Sequence, residues 1–380
     1  MRVLVAPDSY KESMSAKLAA ESIRRGLLSV NPKLQLDVLP LADGGEGTVQ
    51  SLVEATGGII KMASVHDPLH RMIRAAYGIL GDGRTAIIEM AAASGIELLK
   101  DHEKNPMKTS SYGTGELVLH ALERDCDTII LGIGGSATNE GGAGMIQALG
   151  GTMLDSQGIE IIPTGAGLEK LASINLNSLD QRIHKTTFIA ACDVDNVLLG
   201  DSGATMVYGP QKGATFSMLQ QLEKNLKRYA IFLEQASGMH ILNKPGSGAA
   251  GGMGAGMMAA LGAELRPGFE VVANITQLEK HIGSADLVIT GEGKIDRQSQ
   301  YGKTPFGVAK LAQKLNVPVM VLAGQVEDIE DPIIKDHFRM IRSITPGGMN
   351  LETALKNGPV LLEEAAARIW KEIESHPDTL

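Results

Sequence analysis

Carboxylates recur in this chain where a short apolar run gives way to glycine and hydroxyl residues. Asp8 and Ser9 follow residues 2–6, Asp43 and Glu46 follow 34–41, Asp193 and Asp195 follow 187–191, and Glu292 and Asp296 follow 286–290. One aspartate in such a place is ordinary turn or helix-cap chemistry, because its oxygen satisfies nearby backbone N–H groups. Four such loops together point to a shared chemical role. Lys11 and Lys212 stand in similar loops with Ser or Gly close by, where a solvated surface lysine is the alternative. Phosphoryl transfer needs cations against phosphate oxygens, carboxylates that can hold Mg²⁺, and a base or orienting group for the attacking hydroxyl. This inventory contains each type.

The stretch Thr128 to Gly144, TIILGIGGSATNEGGAG, is the densest of these places. An apolar strand empties into a loop holding Gly132, Gly134, Gly135, Gly141, Gly142 and Gly144, and a helical pattern resumes at Met145. Glycines let the backbone approach a ligand closely, and free N–H groups before a helix suit an anion. Gly134, Gly135, Ser136, Thr138 and Asn139 are therefore candidate phosphate contacts, with tight structural turns as the other reading. Neither named nucleotide fingerprint is complete: no Lys follows the glycines, and Ala137 stands where GxGxxG has its last glycine. Gly302-Lys303-Thr304 imitates the end of a P-loop, but Arg297 occupies the place of the first glycine and the match is discounted. His66, His70 and the other histidines show no ligand spacing and read as core or surface residues.

These loops must be positioned by strands and helices. Strands are expected at 2–6, 34–41, 129–132, 187–191, 286–290, 317–323 and 340–345. Helices are expected at 15–28, 49–55, 117–122, 145–149, 218–235 and 306–315, and a last one opened by Pro359. That last helix carries Leu362, Ala366, Ile369, Trp370 and Ile373 as a sheet-facing stripe, which makes Trp370 a core residue. Residues 59–65, 72–80 and 85–90 read as antiparallel material, with Gly81-Asp82-Gly83 as a hairpin turn. The small-residue run Gly246 to Gly256 is expected to keep any long helix from starting before it ends. The alternation of strand and helix at both chain ends, interrupted in the middle, implies a parallel α/β domain from residues 1–66 and 276–380 with a mixed α/β domain inserted at 67–275. In open parallel sheets, ligands bind beyond the carboxyl ends of the strands, where these loops lie.

Composition narrows the class. With 380 residues, 43% hydrophobic content and no apolar run near membrane-spanning length, a globular protein without a membrane partner is expected. A net charge of −9, only 3% aromatics and no basic stripe argue against nucleic acid. The apolar run Val3 to Pro7 is too short for a signal peptide, and Cys126 and Cys192 form neither a disulfide framework nor a zinc site, so a cytoplasmic protein is expected.

Six segments in order, APDSYKESMSA, LADGGEGT, LGIGGSATNEGGAG, ACDVDNVLLG followed by YGPQKGA, PGSGAAGGMGAG and VITGEGKIDRQSQYGKTPFGVA, resemble the signature stretches of the bacterial glycerate kinase family. The resemblance runs from residue 1 to beyond 310 and departs from the usual pattern at Glu140, where Asp is expected, and at Tyr10, where Phe is more usual. It implies a flavodoxin-like (Rossmann-like) parallel-sheet domain with an inserted mixed α/β domain, and ATP- and Mg²⁺-dependent phosphorylation of D-glycerate. The 2-phosphoglycerate product is favoured over 3-phosphoglycerate, and a homodimer is left open. On this reading Asp193, Lys11 and Lys212 are the catalytic candidates. Asp8, Ser9, Gly134, Gly135, Ser136, Thr138, Asn139, Glu292 and Asp296 are the substrate- and phosphate-binding ones, and Asp195, Asp43 and Glu46 the metal ligands. A dinucleotide-dependent oxidoreductase and a noncatalytic nucleotide or sugar-acid sensor are the rival readings; Ala137 and the excess of carboxylates count against the first.

Overall fold

The computed structural model describes residues 1–45, 47–300, 303–327 and 331–376. Along the chain the strands are β1 (Arg2–Val5), β2 (Gln35–Val38), β3 (Ile59–His66), β4 (Met72–Ile79), β5 (Thr85–Glu89) and β6 (Thr128–Gly132). They continue as β7 (Thr152–Leu154), β8 (Ser173–Asn175), β9 (Thr187–Ala191), β10 (Glu264–Arg266), β11 (Leu287–Ile295), β12 (Val319–Val326) and β13 (Met340–Ser343). Two compact units result: Met1–Asp43 with Glu54–Thr56 and Gly268–Leu380, and Gly44–Val53 with Gly57–Pro267.

The first unit holds a sheet of order β13-β12-β11-β1-β2, parallel throughout. Val3, Leu4 and Val5, Leu287 to Ile289, and Met320 to Ala323 have no exposed surface, the pattern of strands covered on both faces. The helix Ala16–Val30 starts at Ser15, whose side chain accepts from Leu18 N, and buries Ala19, Ala20, Ile23 and Leu27. It packs along the helix Leu351–Ser375, whose stripe includes Trp370 at 2% exposure.

Two expectations about this unit fail for identifiable reasons. Pro359 lies inside the last helix, which Asn350 caps by accepting from Thr353 N, instead of opening it. A proline removes the N–H that would bond the carbonyl four residues back. Here that carbonyl, Leu355 O, accepts a 2.6 Å hydrogen bond from Ser13 Oγ. The second concerns residues 291–295, expected as a loop. They prolong β11, because β12 runs on beside them and pairs Glu292 with Ala323 and Lys294 with Gln325.

The second unit holds a mixed sheet of order β10-β9-β6-β5-β4-β3, parallel from β10 to β5 and antiparallel beyond. The hairpin between β4 and β5 closes with Gly83 N donating to Leu80 O at 2.9 Å. β3 pairs with β4 along its whole length, from Ile59 opposite Ile79 to His66 opposite Met72. A boundary between residues 66 and 67 would therefore separate two paired strands, and β3 falls in the second unit. The run 246–256 also differs from expectation, since the helix Ala249–Leu261 begins inside it. Ala250, Gly251 and Gly252 have positive φ there and form a kink, and regular helix resumes at Met253. The small residues are needed because this segment lies directly against the glycine loop: a Cβ on Gly251 would sit 2.0 Å from Thr138 O.

Candidate active site

In the second unit β6 and β9 are neighbours in register, Gly132 opposite Ala191, so the loops that follow them leave the same edge of the sheet side by side. Ile133 N donates to Ala191 O at 3.4 Å and continues that pairing into the loops. One loop begins with Gly134 and Gly135, both exposed; the other carries Asp193 and Asp195, also exposed. Gly135 has φ +69, a conformation natural only to glycine. Gly135 O accepts from Ile96 N and Ala137 N donates to Ser94 O, which anchors the loop to the end of β5. The N–H groups of Gly134, Gly135 and Ser136 donate to no partner among the described residues. Gly134 and Gly135 are exposed, so the turn presents at its surface donors of the kind that bind phosphate oxygens.

Beneath these donors the chain is buried. Ser136, Thr138, Asn139 and Glu140 are 7%, 1%, 0% and 0% exposed, so Thr138 and Asn139 support the loop from below. Asn139 Nδ2 donates to Thr205 Oγ1 at 3.0 Å. Glu140 accepts from Ser111 N at 2.7 Å and Ala143 N at 2.8 Å, closing the start of the helix Ala143–Ala148. Burial raises the Glu140 carboxyl and these hydrogen bonds oppose the rise.

Lys212 enters this layer from the turn after the helix Ala204–Tyr208 and is 2% exposed. Its ammonium donates to Ser136 Oγ at 2.7 Å and to Thr138 O at 2.6 Å. Burial pushes its pKa down to about 7, against the pull of Glu140. Lys212 is thus a strut under the glycine loop, and neither of its partners is a solvent-facing group.

The first unit gathers a different set. Asp8 follows β1, and its backbone N donates to Gly291 O at 2.8 Å, so that it stands next to Glu292 on β11. Thr304 Oγ1 donates to Asp8 Oδ2, and Ser9 N donates to Asp8 Oδ1 at 2.6 Å. Asp43 adds its charge: burial first and Asp43 second raise Asp8 to about 7. Asp296 is tied into the turn before the helix Thr304–Lys314, accepting from Ser299 N at 3.0 Å with Lys294 at 3.4 Å. Lys11 is an exposed residue of the turn after Tyr10. Among the described residues no three His, Cys, Asp or Glu side chains are grouped as a metal cage. Asp43 and Asp195 belong to different units, and Glu46 lies outside the described residues.

Three residues of consequence lie outside the sequence-derived set. Lys303 and Thr304, discounted with the incomplete P-loop, stand against Glu292 and Asp8 respectively. The signal was the Lys-Thr pair in front of an apolar helical pattern, which marks a helix start whether or not a P-loop precedes it. Glu89 ends β5 opposite Gly132 and accepts from Val49 N at 3.0 Å, and no local spacing singled it out.

Comparison with known proteins follows the same lines. A family model described as the glycerate kinase family matches residues 3–374. A protein of Bacillus subtilis (strain 168) named glycerate kinase is 48% identical over 374 residues, covering 98% of each chain. A protein of Escherichia coli (strain K12) named glycerate 2-kinase is 50% identical over 328 residues, 86% of each chain. The crystal structure of a protein from Salmonella typhimurium LT2, provisionally named glycerate kinase 2, superposes with a TM-score of 0.91 at 46% identity, covering 100% of this chain and 99% of that one.

Proposed function

We propose, from the premise that this chain belongs to the glycerate kinase family, that it transfers the γ-phosphoryl group of ATP to D-glycerate and yields 2-phosphoglycerate. The name of the Escherichia coli relative supports the position of the phosphate. The observation in the fold that carries the reading is the turn of open N–H groups at Gly134 to Ser136, held from below by Lys212 and flanked by the carboxylates of Asp193 and Asp195. Such donors fit the phosphates of a nucleotide. A nucleotide-binding sensor would share them, and is told apart by the absence of ADP formation.

Magnesium is proposed to enter with the nucleotide. Mg²⁺ in ATP sites is held by substrate phosphates and water with only one or two protein carboxylates, so a cage of three is not required. Asp193 and Asp195, exposed and separated by Val194 beside the cradle, are the carboxylates that would hold it. When bound, the ion would offset negative charge on the phosphate oxygens. The protein's own part is to fix the cradle, keep its donors aimed at the phosphates and hold the two carboxylates at a rigid strand end. No described helix is long and apolar enough to cross a membrane. A cytoplasmic location is proposed from the free thiols Cys126 and Cys192, which suit a reducing compartment.

Incubation with ATP, Mg²⁺ and D-glycerate should release ADP, and NMR of the product should show phosphorus coupled to the C2 proton. Absence of ADP defeats the kinase reading, and phosphate on C3 corrects the product. Asp195→Asn should raise the Mg²⁺ concentration needed for half-maximal rate on the order of tenfold, since even outer partners of a metal are worth that much. An unchanged Mg²⁺ requirement would remove Asp195 from the cation.

A further inference from the structure

β3 is the edge strand of the second unit's sheet and pairs only with β4. Beyond His66 the same pairing continues, Asp67 N donating to Arg71 O at 2.8 Å. Hydrogen-bonded positions alternate along an antiparallel ladder, so the odd-numbered residues from 59 to 67 bond to β4 and the even-numbered ones turn their N–H and C=O groups to the free edge. At the two ends of that row the donors are taken: Gly58 N donates to Val53 O at 2.8 Å and His66 N to Glu116 Oε2 at 2.6 Å. Between them the N–H and C=O groups of Ile60, Met62 and Ser64 have no partner among the described residues.

Sheets blunt such an edge with proline, a bulge or several charges. β3 has none of these: it keeps an unbroken register with β4 from Ile59 to His66, it holds no proline, and Lys61 is its only Lys, Arg, Asp or Glu. Ile60 and Met62 are exposed on one face of the strand and Ile59 on the other.

We propose that a second copy of this chain covers this edge, with β3 pairing antiparallel to β3 of the copy across a two-fold axis. The row itself favours a copy over a foreign strand. Under an antiparallel two-fold a strand meets its own sequence reversed, and the open row is symmetric about Met62. An axis through Met62 sets that residue opposite its own copy and Ile60 opposite the copy's Ser64, so that every open N–H and C=O of the row is paired. The registers one step to either side do less. They set Ser64 opposite Gly58, or Ile60 opposite His66, whose N–H groups are already committed. Charge selects the same register. An axis through Lys61 would hold two ammonium groups against each other, whereas the axis through Met62 places Lys61 opposite Ala63 and Ile59 opposite Val65. Ile60 and Met62 then meet their copies on one face of the joined sheet, and Ile59 is covered on the other.

The test reads mass, amide exchange and cross-linking, and so stands apart from the kinase reading. Sedimentation at micromolar concentration should give twice the chain mass, and exchange of the Ile60, Met62 and Ser64 amides should slow as concentration rises. Met62→Lys puts two like charges on the axis and should raise the dimer dissociation constant on the order of tenfold or more. Met62→Cys keeps an uncharged side chain there. With Cα atoms about 5.5 Å apart across a hydrogen-bonded pair, within the span of a disulfide, it should link the two copies under mild oxidant. Should Met62→Lys not fold, the cross-link and the amide exchange decide. A wild type that stays monomeric overturns the proposal. So does a folded Met62→Lys protein of unchanged dimer affinity, or a dimer in which Met62→Cys fails to link, because the contact between copies would then lie elsewhere.

Discussion

Lys212→Ala is expected to lower kcat/KM by on the order of 10²-fold, because a displacement of about 1 Å in groups that position a reacting phosphate costs that much. The side chain makes two hydrogen bonds, to Ser136 Oγ and Thr138 O, and both acceptors belong to the loop that carries the open donors. Deleting it leaves the Thr138 carbonyl buried without its partner and opens a void beneath the turn. An arginine should not restore function, since the guanidinium is larger and cannot shed its proton in a place with 2% exposure. The lysine can shed one: with its pKa pushed down to about 7, it becomes a neutral amine that still has two N–H donors for the same two bonds. The linked effect on stability has a definite sign. The unfolded lysine binds its proton up to its ordinary pKa of 10.5 while the folded one releases it near 7, so this residue's contribution to stability rises with pH across that window. Melting temperatures of wild type and Lys212→Ala should therefore diverge in favour of wild type between pH 7 and 10. Equal kcat/KM in the two proteins would show that the loop keeps its shape without the strut.

Gly251→Ala should cost roughly 3 kcal/mol, the sum of left-handed backbone strain and overpacking. Gly251 has φ +72, and an added Cβ would lie 2.0 Å from Thr138 O and 2.9 Å from Asn139 Cα. The two backbones cannot drift apart freely, because Gly141 N donates to Gly251 O at 3.0 Å. On the scale of a domain of this size the melting temperature should fall by roughly 10 °C. Gly238→Ala provides the comparison: φ is +70 but nothing lies within 4 Å of its Cβ, so only the backbone strain of about 1 kcal/mol remains. If the two variants melt together, the close approach of the Ala249–Leu261 helix to the glycine loop is not limiting. Because Thr138 is also an acceptor for Lys212, Gly251→Ala should raise KM for ATP as well.

Much of the architecture could be read from local pattern. The strands at residues 3–5, 287–289 and 319–323 are continuous apolar runs because both faces of a parallel sheet are covered. The helix Phe216–Ser237 shows its cap at Thr215 and its buried stripe at Leu219, Leu222, Leu226 and Leu233. Gly134 and Gly135 stand out as a turn facing solvent after a buried strand, and the carboxylates at strand ends mark where the loops of each sheet emerge.

What could not be read locally depends on partners distant in the chain. Six glycines near residue 140 look alike in sequence, yet Gly134 is open while Gly141 lies against the Tyr229 ring and Gly142 against Met253. Pro359 looks like a helix start, and only Ser13, which caps the carbonyl that it strands, lets it sit in the interior. Lys212 reads from the sequence as a phosphate contact or a solvated surface lysine, and only its partner Thr138, 74 residues away, shows it to be a buried support of the loop. Asp8 meets Thr304 across 296 residues of chain, and Glu292 is raised to about 8 first by burial, with Lys303 opposing and Asp8 adding to the rise, none of which local spacing shows. Spacing along the chain determines periodicity, turn chemistry and which residue types are available. Ionisation, burial and hydrogen-bond supply depend on the dielectric and the charges within a few ångströms, which are brought together only when the sheets assemble.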